Sequence, residues 1–583
     1  MANFFDDNED IRFLFNHLDL GRLAALTEEE FRFKAEFDFA PADAADAIDN
    51  YRRLLELVGG IAGERVAPTA EHTDATGNVL NPDGTVTYAP GIAEAIRLLG
   101  QADLMGFTLP YRYGGLNAPE LLYAMSNDIV SRADASLMNL YGLQGIAETI
   151  HAFASDEIKE AYLPRLASGE WTGAMVLTEP DAGSDLQAVK TRAYQNAAGE
   201  WFVHGVKRFI TNGCGDVLLV LARTEPKIAD GRGLSCLLVE KGPKVKVRRL
   251  EHKLGINGSP TCEIFFDHAP AKLIGQRQRG LITYVMSLMN GARLGIAAQS
   301  LGIGEAACRA ARDYALTRKQ FGVAIDQLPA VRDLLVDMSV DLQAARALTY
   351  HAAFCVDLER GLERRLEAKL DRDPEAVRNV RNESRKYKNV NKILTPMAKY
   401  FASEMSMRVS NSAMAVLGGS GYMKDYPVER LVRDSRITTI YEGTSQLQVV
   451  AAIGGVMNGG LAEIVGEVLG ARDWPAAVAP LAAQVREGLA ALEAAVAYVK
   501  ERPDSNTYRD LYARKLVDLA IDLLVGALFC GQAAAGERKL AVARRWIGER
   551  LPQVRALKER VCSGETLTLT DFEALAVQPS TAD

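Results

Sequence analysis

One carboxylate, Glu442, is placed where it could act as a general base. It lies in Tyr441-Glu442-Gly443-Thr444, after a β-branched run at residues 437–440 and before a helix-like segment from Gln446 to Ile453. Reactive groups are often displayed on such connections, and a glycine there can adopt backbone conformations that other residues resist. The motif alone leaves another interpretation open, because the helix dipole also favours an acid in the first turn of a helix.

Three other segments carry groups suited to a flat, acceptor-rich ring or a phosphate. In Thr178-Glu179-Pro180-Asp181-Ala182-Gly183-Ser184-Asp185, hydroxyl and backbone N–H groups could line a loop over such a ring. Phe209 and Thr211 lie two apart on one strand face, and Arg318 could pair with a phosphate. Each also has a purely structural interpretation. Residues 178–185 could form a turn, Phe209 and Thr211 could belong to a strand that ends in an Asn-Gly turn, and Arg318 could be a cation at a helix C-terminus.

The elements that must position these groups change type along the chain. Apolar periodicity predicts helices from about Pro41 to Glu170, including 44–57 and 92–104. Short β-branched and aromatic segments from Trp171 predict an antiparallel β domain, with strands at 173–177, 201–206, 216–222, 235–239, 245–247 and 261–267. Helical patterns return at about Leu281 and continue into an appended bundle after the glycine pairs at 454–455 and 459–460.

The composition argues against several classes of function. The 583 residues carry a net charge of −8 with a sequence pI near 5.6, which disfavours nucleic acid as the main partner. Seven cysteines without a CxxC pair and seven dispersed histidines indicate reduced thiols and no metal site. The acidic N-terminus lacks a targeting pattern, and Asp518 and Asp522 interrupt the longest apolar run, so we expect a cytoplasmic protein without a membrane span.

In this order, the segments resemble the acyl-CoA dehydrogenase family of flavoproteins. The resemblance covers about Pro41 to Met457, where the TEPxAGSD, RxQFG and GGxGY…PVxRLxRD…YEGT elements stand almost letter for letter. The additional residues at both ends resemble the long subgroup, which includes 3-methylthiopropionyl-CoA dehydrogenases and some long bacterial fatty acyl-CoA dehydrogenases.

The resemblance implies a mainly helical α+β fold with an appended helical bundle. The predicted parts are an N-terminal extension (1–40), an N-terminal helical domain (41–170), a middle antiparallel β domain (171–275), a C-terminal four-helix domain that binds FAD and acyl-CoA (276–457), and a helical extension (458–583). The floor of the acyl pocket would be built partly by helices matching residues 135–150.

Site residues carry over by motif match. The resemblance implies FAD contacts from Leu177, Thr178, Gly183, Ser184, Phe209, Thr211, Arg318, Gln320, Phe321, Gly418, Gly419, Thr444 and Gln446. It implies substrate contacts from Ser184, Asn290, Arg293, Tyr441 and Gly443. Three positions depart from the family pattern: Phe209 replaces the usual Trp, Leu328-Pro329 replaces a polar pair, and Ala415 stands where Gln is frequent.

The implied activity is FAD-dependent α,β-dehydrogenation of an acyl-CoA thioester to the trans-2-enoyl-CoA, as in fatty acid β-oxidation. Glu442 would remove the α-proton while a hydride leaves the β-carbon for flavin N5, and an electron-transfer flavoprotein would accept the electrons. Members with the base on the earlier helix carry it at the position of Ala292, which leaves Glu442 as the candidate. The family's shared FAD site implies a homodimer or homotetramer.

Three alternatives stay open at this point. The same site could serve an enoyl-CoA reductase or an acyl-CoA oxidase. A flavin-bearing DNA-binding relative is the third, although residues 461–583 mix acids with bases and show no dominant cationic stripe.

Overall fold

The computed structural model describes residues 2–141 and 144–576, with only the backbone of Gln144, Ser287 and Asn290. Within the described part, the chain divides into two compact units. The first contains Met1–Asn391 and Ala398–Ser445, and the second contains Lys392–Met397 and Gln446–Asp583.

The N-terminal part of the first unit is helical. Its capped helices begin after polar residues, as at Asn8, whose Oδ1 accepts a hydrogen bond from the Ile11 backbone N–H at 3.1 Å. A small hairpin, β1 and β2, interrupts the series. The elements are α1 (Glu9–His17), α2 (Leu20–Thr27), α3 (Ala44–Ile61), α4 (Ala70–Thr76), β1 (Val79–Leu80), β2 (Val86–Thr87), α5 (Pro90–Gln101), α6 (Glu120–Ala133), α7 (Ala135–Tyr141), α8 (Gln144–Phe153) and α9 (Asp156–Ala167).

The middle part is a seven-stranded sheet. Its strands are β3 (Gly173–Val176), β4 (Arg192–Gln195), β5 (Trp201–Thr211), β6 (Val217–Arg223), β7 (Leu234–Glu240), β8 (Val245–Leu250) and β9 (Thr261–Leu273). The order is β3-β6-β4-β5-β9-β7, with β8 on β9, and the sheet closes on itself because β6 also pairs with β7.

The predicted β domain is confirmed, but its sheet is not wholly antiparallel. β3 and β4 both pair with β6 in parallel, and the remaining pairs are antiparallel. Parallel neighbours need a long crossover, and the chain between residues 176 and 217 supplies one. The prediction also missed β4, whose four residues bury only Ala193 and so show no alternating pattern.

Long helices follow the sheet, as the periodicity predicts. After a π-helical turn at Gly280–Val285 come α10 (Met286–Thr317), a hairpin of β10 (Lys319–Gln320) and β11 (Val323–Ala324), α11 (Pro329–Glu367), α12 (Pro374–Leu417), α13 (Val428–Thr438) and α14 (Ser445–Met457). The charged segment at 357–392 forms the end of α11 and the start of α12, in agreement with a solvated helix pair.

The second unit contains most of α14 and α15 (Gly460–Leu469), α16 (Ala479–Glu501), α17 (Ser505–Ala533), α18 (Glu537–Val561), α19 (Leu567–Thr570) and α20 (Phe572–Ala576). Among the described helices, α17 is long and apolar enough to cross a membrane, despite Asp518 and Asp522, and the bent pair of α14 and α15 passes the same test together. However, 83% of the apolar window of α17 is buried within the protein, where it packs against α15, α16 and α18. Its apolar composition is therefore that of a core helix.

A buried ionic cluster ties α1, α6, α10 and α11 together. The Arg346 guanidinium bonds Asp10 at 2.9 Å, Asp128 at 2.8 Å and Glu305 at 2.9 Å, and Tyr350 donates to Asp128 at 2.8 Å. Only 1% of the Arg346 side chain is exposed. Because a buried charge needs partners, this cluster constrains how the four helices pack.

Candidate active site

The backbone at Glu442 has an uncommon conformation. Glu442 lies on the connection between α13 and α14, with φ of 53°, and Gly443 follows with φ of 88°. Left-handed geometry is costly for a residue with a side chain, so it persists only where the surrounding structure imposes it. Gly443 therefore meets the predicted need for a glycine, whereas the strain at Glu442 was not predicted.

A buried lysine, Lys399 of α12, holds this turn. Its Nζ donates a hydrogen bond to the carbonyl oxygen of Gly443 at 2.8 Å, and its side chain is inaccessible to solvent. The Ser445 backbone N–H donates to the Thr439 carbonyl at 3.0 Å, which closes the turn from the other side. Both contacts fix the direction in which the Glu442 side chain leaves the backbone.

Tyr441 anchors the same turn to two helices. Its hydroxyl donates to Oε1 of Gln299, and Oδ1 of Asn139 lies 3.1 Å away. Gln299 in turn donates from Nε2 to the Ala135 carbonyl at 2.9 Å and to Asn139 Oδ1 at 3.0 Å. The connection that carries Glu442 is thus bonded to α7 and α10.

Glu442 faces a cavity with a largely apolar lining. The cavity volume is about 80 Å³, several times the ~10–15 Å³ that one water molecule needs. Its apolar walls come from α7, α8, β3 and α10, and the α10 wall includes Ala292. Thr211 of β5 also lines the cavity. The principal apolar side chains are Met138, Ile146, Met175, Leu288 and Ile296.

The enclosure shifts the proton affinity of the ionisable groups. Burial raises the pKa of Glu442 to about 7, and the positive charges of Lys399 and Arg293 oppose this rise. Burial lowers the pKa of Lys399 to about 7, against the attraction of Glu442 and Glu404. Burial also lowers the pKa of Arg293 from its usual value. A carboxylate with a pKa near neutrality is a stronger base than an exposed one.

The structure brings the loop after β3 beside β5. The backbone N–H of Arg208 donates to the Thr178 carbonyl at 3.0 Å, and the buried Nζ of Lys207 donates to the Leu177 carbonyl at 2.7 Å. Lys207 also pairs with Glu179 at 2.9 Å. Two motifs that lie 30 residues apart in the sequence therefore form one surface, and Thr211 connects this surface to the Glu442 cavity.

This surface has an open, partly apolar face. Phe209 is 52% exposed and has a left-handed φ of 60°, and Arg208 lies over its ring at 4.6 Å from the centroid. Gly183 and Ser184 are exposed, and a Cβ at Gly183 would meet no atom within 4 Å. Leu177 is buried and Thr178 is half-buried. These features leave room for a flat ligand against the loop.

The other predicted contacts lie elsewhere on the chain. Arg318, Gln320 and Phe321 lie on or beside the exposed β10–β11 hairpin, where Phe321 is 89% exposed. Gly418 and Gly419, at the end of α12, are exposed, and a Cβ at either position would meet no atom within 4 Å. None of these five lines the described Glu442 cavity.

Three further predicted contacts are Thr444, Gln446 and Asn290. Thr444 is half-buried in the first unit, whereas Gln446 belongs to the second unit and is exposed. Asn290 lies in α10, but its side chain is outside the described part of the structure. The roles of all these residues towards FAD or substrate stay predictions.

The sequence prediction overlooked several groups at the site. Lys399 stands within the apolar stretch 393–402 of α12, and a charged residue in such a run was the available signal. Gln299 and Asn139 gave no signal, because polar residues on helices are common. Glu120 and Glu148, which also line the cavity, lie on separate helices and were not considered.

A histidine cluster on the β domain was also not predicted. His204 and His268 stack at 4.2 Å beside Asp267, and their ligand atoms lie within 4.8 Å of one another. Lys244 and Lys246 each lie 3.7 Å from the Asp267 carboxylate. Two lysines at this distance oppose a cation, so we assign the cluster no metal.

Comparisons with known proteins agree with this arrangement. Family models match three successive parts of the chain: the acyl-CoA dehydrogenase N-terminal domain at residues 49–170, the middle domain at 174–269 and the C-terminal domain at 279–453. An acyl-CoA dehydrogenase of Bacillus subtilis (strain 168) is 37% identical over 404 residues, which cover 68% of this chain and 94% of that protein.

Two further proteins are also similar to this chain. A 3-methylmercaptopropionyl-CoA dehydrogenase of Ruegeria pomeroyi is 32% identical over 437 residues, 70% of each chain. The crystal structure of an acyl-CoA dehydrogenase complexed with FAD from Bacillus anthracis matches with a TM-score of 0.73 at 22% identity and covers 92% of both chains. This coverage extends beyond the three matched domains, so the likeness in fold includes much of the helical extension.

Proposed function

The chain belongs to the acyl-CoA dehydrogenase family, and we propose that it catalyses FAD-dependent α,β-dehydrogenation of an acyl-CoA thioester to the trans-2-enoyl-CoA. The resemblance predicted from the motifs is thereby confirmed, as are the oxidoreductase class and the helical–β–helical fold. The observation that carries the proposed reaction is Glu442, a carboxylate held by a strained turn against a largely apolar cavity.

FAD is the cofactor of this family, and the residues present fit it. Phe209 offers an exposed ring, Thr178 and Thr211 offer hydroxyl groups, and Gly183 leaves its side of the loop open. We assign the flavin ring to this surface, and the exposed segments at 318–321 and 418–419 to the FAD of a neighbouring subunit. When bound, FAD supplies the acceptor for the hydride that leaves the substrate β-carbon.

The protein's own groups handle the proton. Glu442 removes the α-proton of the thioester, because its carboxylate enters the cavity and its raised pKa favours proton acceptance near neutral pH. Lys399 and Arg293 keep part of the Glu442 population ionised before the substrate arrives. The Glu442 backbone N–H is assigned to the thioester oxygen, where it would stabilise the enolate-like charge as it develops.

Lys399 has a second effect as a positioning residue. By bonding the Gly443 carbonyl, it fixes the turn that aims both the carboxylate and the backbone N–H of Glu442. A base displaced by about 1 Å can lose about a hundredfold in rate. The strained φ of Glu442 is consistent with a turn whose geometry is imposed for such positioning.

The remaining assignments complete the proposal. The protein passes its electrons to an electron-transfer flavoprotein in β-oxidation, acts in the cytoplasm and forms a homodimer or homotetramer.

Anaerobic stopped-flow spectroscopy of the holoenzyme tests the reaction. Acyl-CoA thioesters should bleach the flavin absorbance, and electron-transfer flavoprotein should restore it faster than oxygen does. Faster recovery with oxygen would identify an oxidase. An enzyme whose flavin is reduced by NADH, but not by any acyl-CoA, would contradict the proposed direction.

A further inference from the structure

The Glu442 cavity has a limited capacity. Its volume of about 80 Å³ corresponds to about five to eight water molecules, because each water molecule needs ~10–15 Å³ of such a cavity. A methylene or methyl group is close to a water molecule in size. The cavity therefore accommodates about five to eight carbon atoms.

The face that α10 turns to the cavity has a length that agrees with this capacity. The residues that line it at helical spacing are Leu288, Gly291, Ala292, Gly295 and Ile296. From the first to the last of them the helix rises by about 12 Å. An extended chain of atoms advances by about 1.2 Å per bond, so at most about ten bonds fit along this face. The volume is therefore the tighter limit.

The reacting carbons use part of this space. Glu442 lines the cavity and, in the proposed reaction, removes a proton from the α-carbon, so the α-carbon must lie within reach of it. Thr211 lines the same cavity and belongs to the strand assigned to the flavin, which receives the hydride from the β-carbon. After these two carbons, room for about three to six further carbon atoms is left.

Glycines among the lining residues keep the space open. They are Gly145, Gly291 and Gly295. A Cβ at Gly295 would lie only 3.2 Å from Cε of Met138, which would have to move. A Cβ at Gly291 would lie 3.9 Å from Nη2 of Arg360, an ordinary contact distance. Gly291 is therefore a position where a side chain can be added at the expense of the cavity.

The wall beside Gly291 is held by buried ion pairs. Arg360 donates from Nη1 to Oε2 of Glu120 at 3.1 Å and from Nη2 to Oε2 of Glu148 at 3.4 Å. Only 3% of the Glu120 side chain is exposed, and its backbone N–H donates to Asp357 at 2.7 Å. Because breaking a buried ion pair is costly, this wall resists displacement by a longer ligand.

On the premise of the proposed dehydrogenation, we propose that the substrate is an acyl-CoA with an acyl group of about four to eight carbon atoms, and that Gly291 is a specificity-determining residue. Because Gly291 has no side chain, carbons of the acyl group occupy the space beside it. Acyl groups of about twelve carbons or more exceed both the volume of the cavity and the length of its α10 face.

Straight-chain thioesters test this size limit on the holoenzyme. Esters from butyryl- to octanoyl-CoA in steps of one carbon, together with dodecanoyl- and palmitoyl-CoA, are compared by kcat/KM for anaerobic flavin bleaching. The best ester should lie between butyryl- and octanoyl-CoA. The two long esters should be at least tenfold poorer, since one methylene too many in an apolar pocket costs about 10–200-fold.

Substitutions that fill or enlarge the cavity test the role of Gly291. The longest ester used within threefold of the best should shorten by about one carbon in Gly291→Ala and by about three in Gly291→Val, and should lengthen by about three in Leu288→Ala. Gly548 in α18 is exposed, and a Cβ there would meet no described atom within 4 Å, so Gly548→Val is the matched control and should keep the wild-type profile. FAD content and thermal unfolding establish that each variant folds, and Gly291→Ala decides the question where Gly291→Val does not fold.

The possible failures are distinguishable. If dodecanoyl- or palmitoyl-CoA bleaches the wild-type flavin as fast as the best shorter ester, the size limit is wrong while the dehydrogenase assignment stands. The same conclusion follows if the longest usable ester is unchanged in both Gly291→Ala and Leu288→Ala. If no acyl-CoA of any length bleaches the flavin, both proposals are wrong.

Discussion

Replacement of Lys399 by methionine should raise the pKa of the catalytic base. Lys399 lies within hydrogen-bond distance of the residue that follows Glu442 and lowers the pKa of that carboxyl by its positive charge. Methionine has a similar length and no charge. Loss of the charge favours the neutral acid, so Glu442 should need a higher pH to ionise.

The magnitude follows from the short separation and the partial protonation of Lys399. An opposite charge within ~4–6 Å shifts a carboxyl pKa by about 1–3 units. Because the pKa of Lys399 is itself about 7, only part of its population is charged near neutrality, so we expect a rise of about one unit, from about 7. At pH 7 the ionised fraction of Glu442 then falls from about one half to about one tenth, which lowers the rate about fivefold. Loss of the hydrogen bond to the Gly443 carbonyl adds a decrease that is the same at every pH, so at pH 9 that decrease alone remains.

The assay is kcat/KM for flavin bleaching measured from pH 5.5 to 9.5. Wild-type activity should rise with pH through about 7, and the acid limb of Lys399→Met should lie about one unit higher. Lys399→Arg serves as the control, because arginine stays charged at every pH of the assay and its acid limb should lie at or below that of the wild type. A Lys399→Met protein with normal FAD content and an unshifted acid limb would refute the assigned electrostatic role, because a purely structural lysine would lower the rate equally at all pH values.

Two other substitutions test the packing that supports the site. Arg346→Ala should lower the free energy of unfolding by about 3–5 kcal/mol in urea titrations, because Asp10, Asp128 and Glu305 lose their shared buried cation; a loss below about 1 kcal/mol would contradict the account. Tyr441→Phe should lower the free energy of unfolding by about 1–3 kcal/mol, because Gln299 and Asn139 lose the hydroxyl that bonds them. The same change should reduce kcat/KM. If both quantities are unchanged, Tyr441 does not anchor the turn.

The order of elements was predictable because it depends on local periodicity. Long helices such as α10 and α11 repeat apolar residues over many turns, and β5, β6 and β7 are rich in β-branched or aromatic residues. The local character of Glu442 was also visible, since Gly443 and the helix start lie beside it. These signals are contained within about a dozen residues.

The contacts that give the site its chemistry were not predictable from these signals. Lys399 and Gly443 are 44 residues apart, Glu120 and Glu148 both bond Arg360 of a third helix, and the parallel pairing of β3 with β6 crosses 40 residues. Each depends on how elements pack, and a single sequence does not contain that information in its periodicity. The strained φ of Glu442 likewise follows from its surroundings, not from residue preference.

Flavin reduction by an acyl-CoA in Glu442→Gln is the most direct test of the central claim. Glutamine keeps the size of glutamate, but its amide is not a base that can accept the proton, so anaerobic bleaching should slow by about 10²–10⁴-fold while FAD stays bound. Ala292 lines the same cavity, so glutamate introduced there in the double variant E442Q/A292E should restore part of the rate. Bleaching within tenfold of the wild-type rate in Glu442→Gln would contradict the assignment of Glu442 as the base.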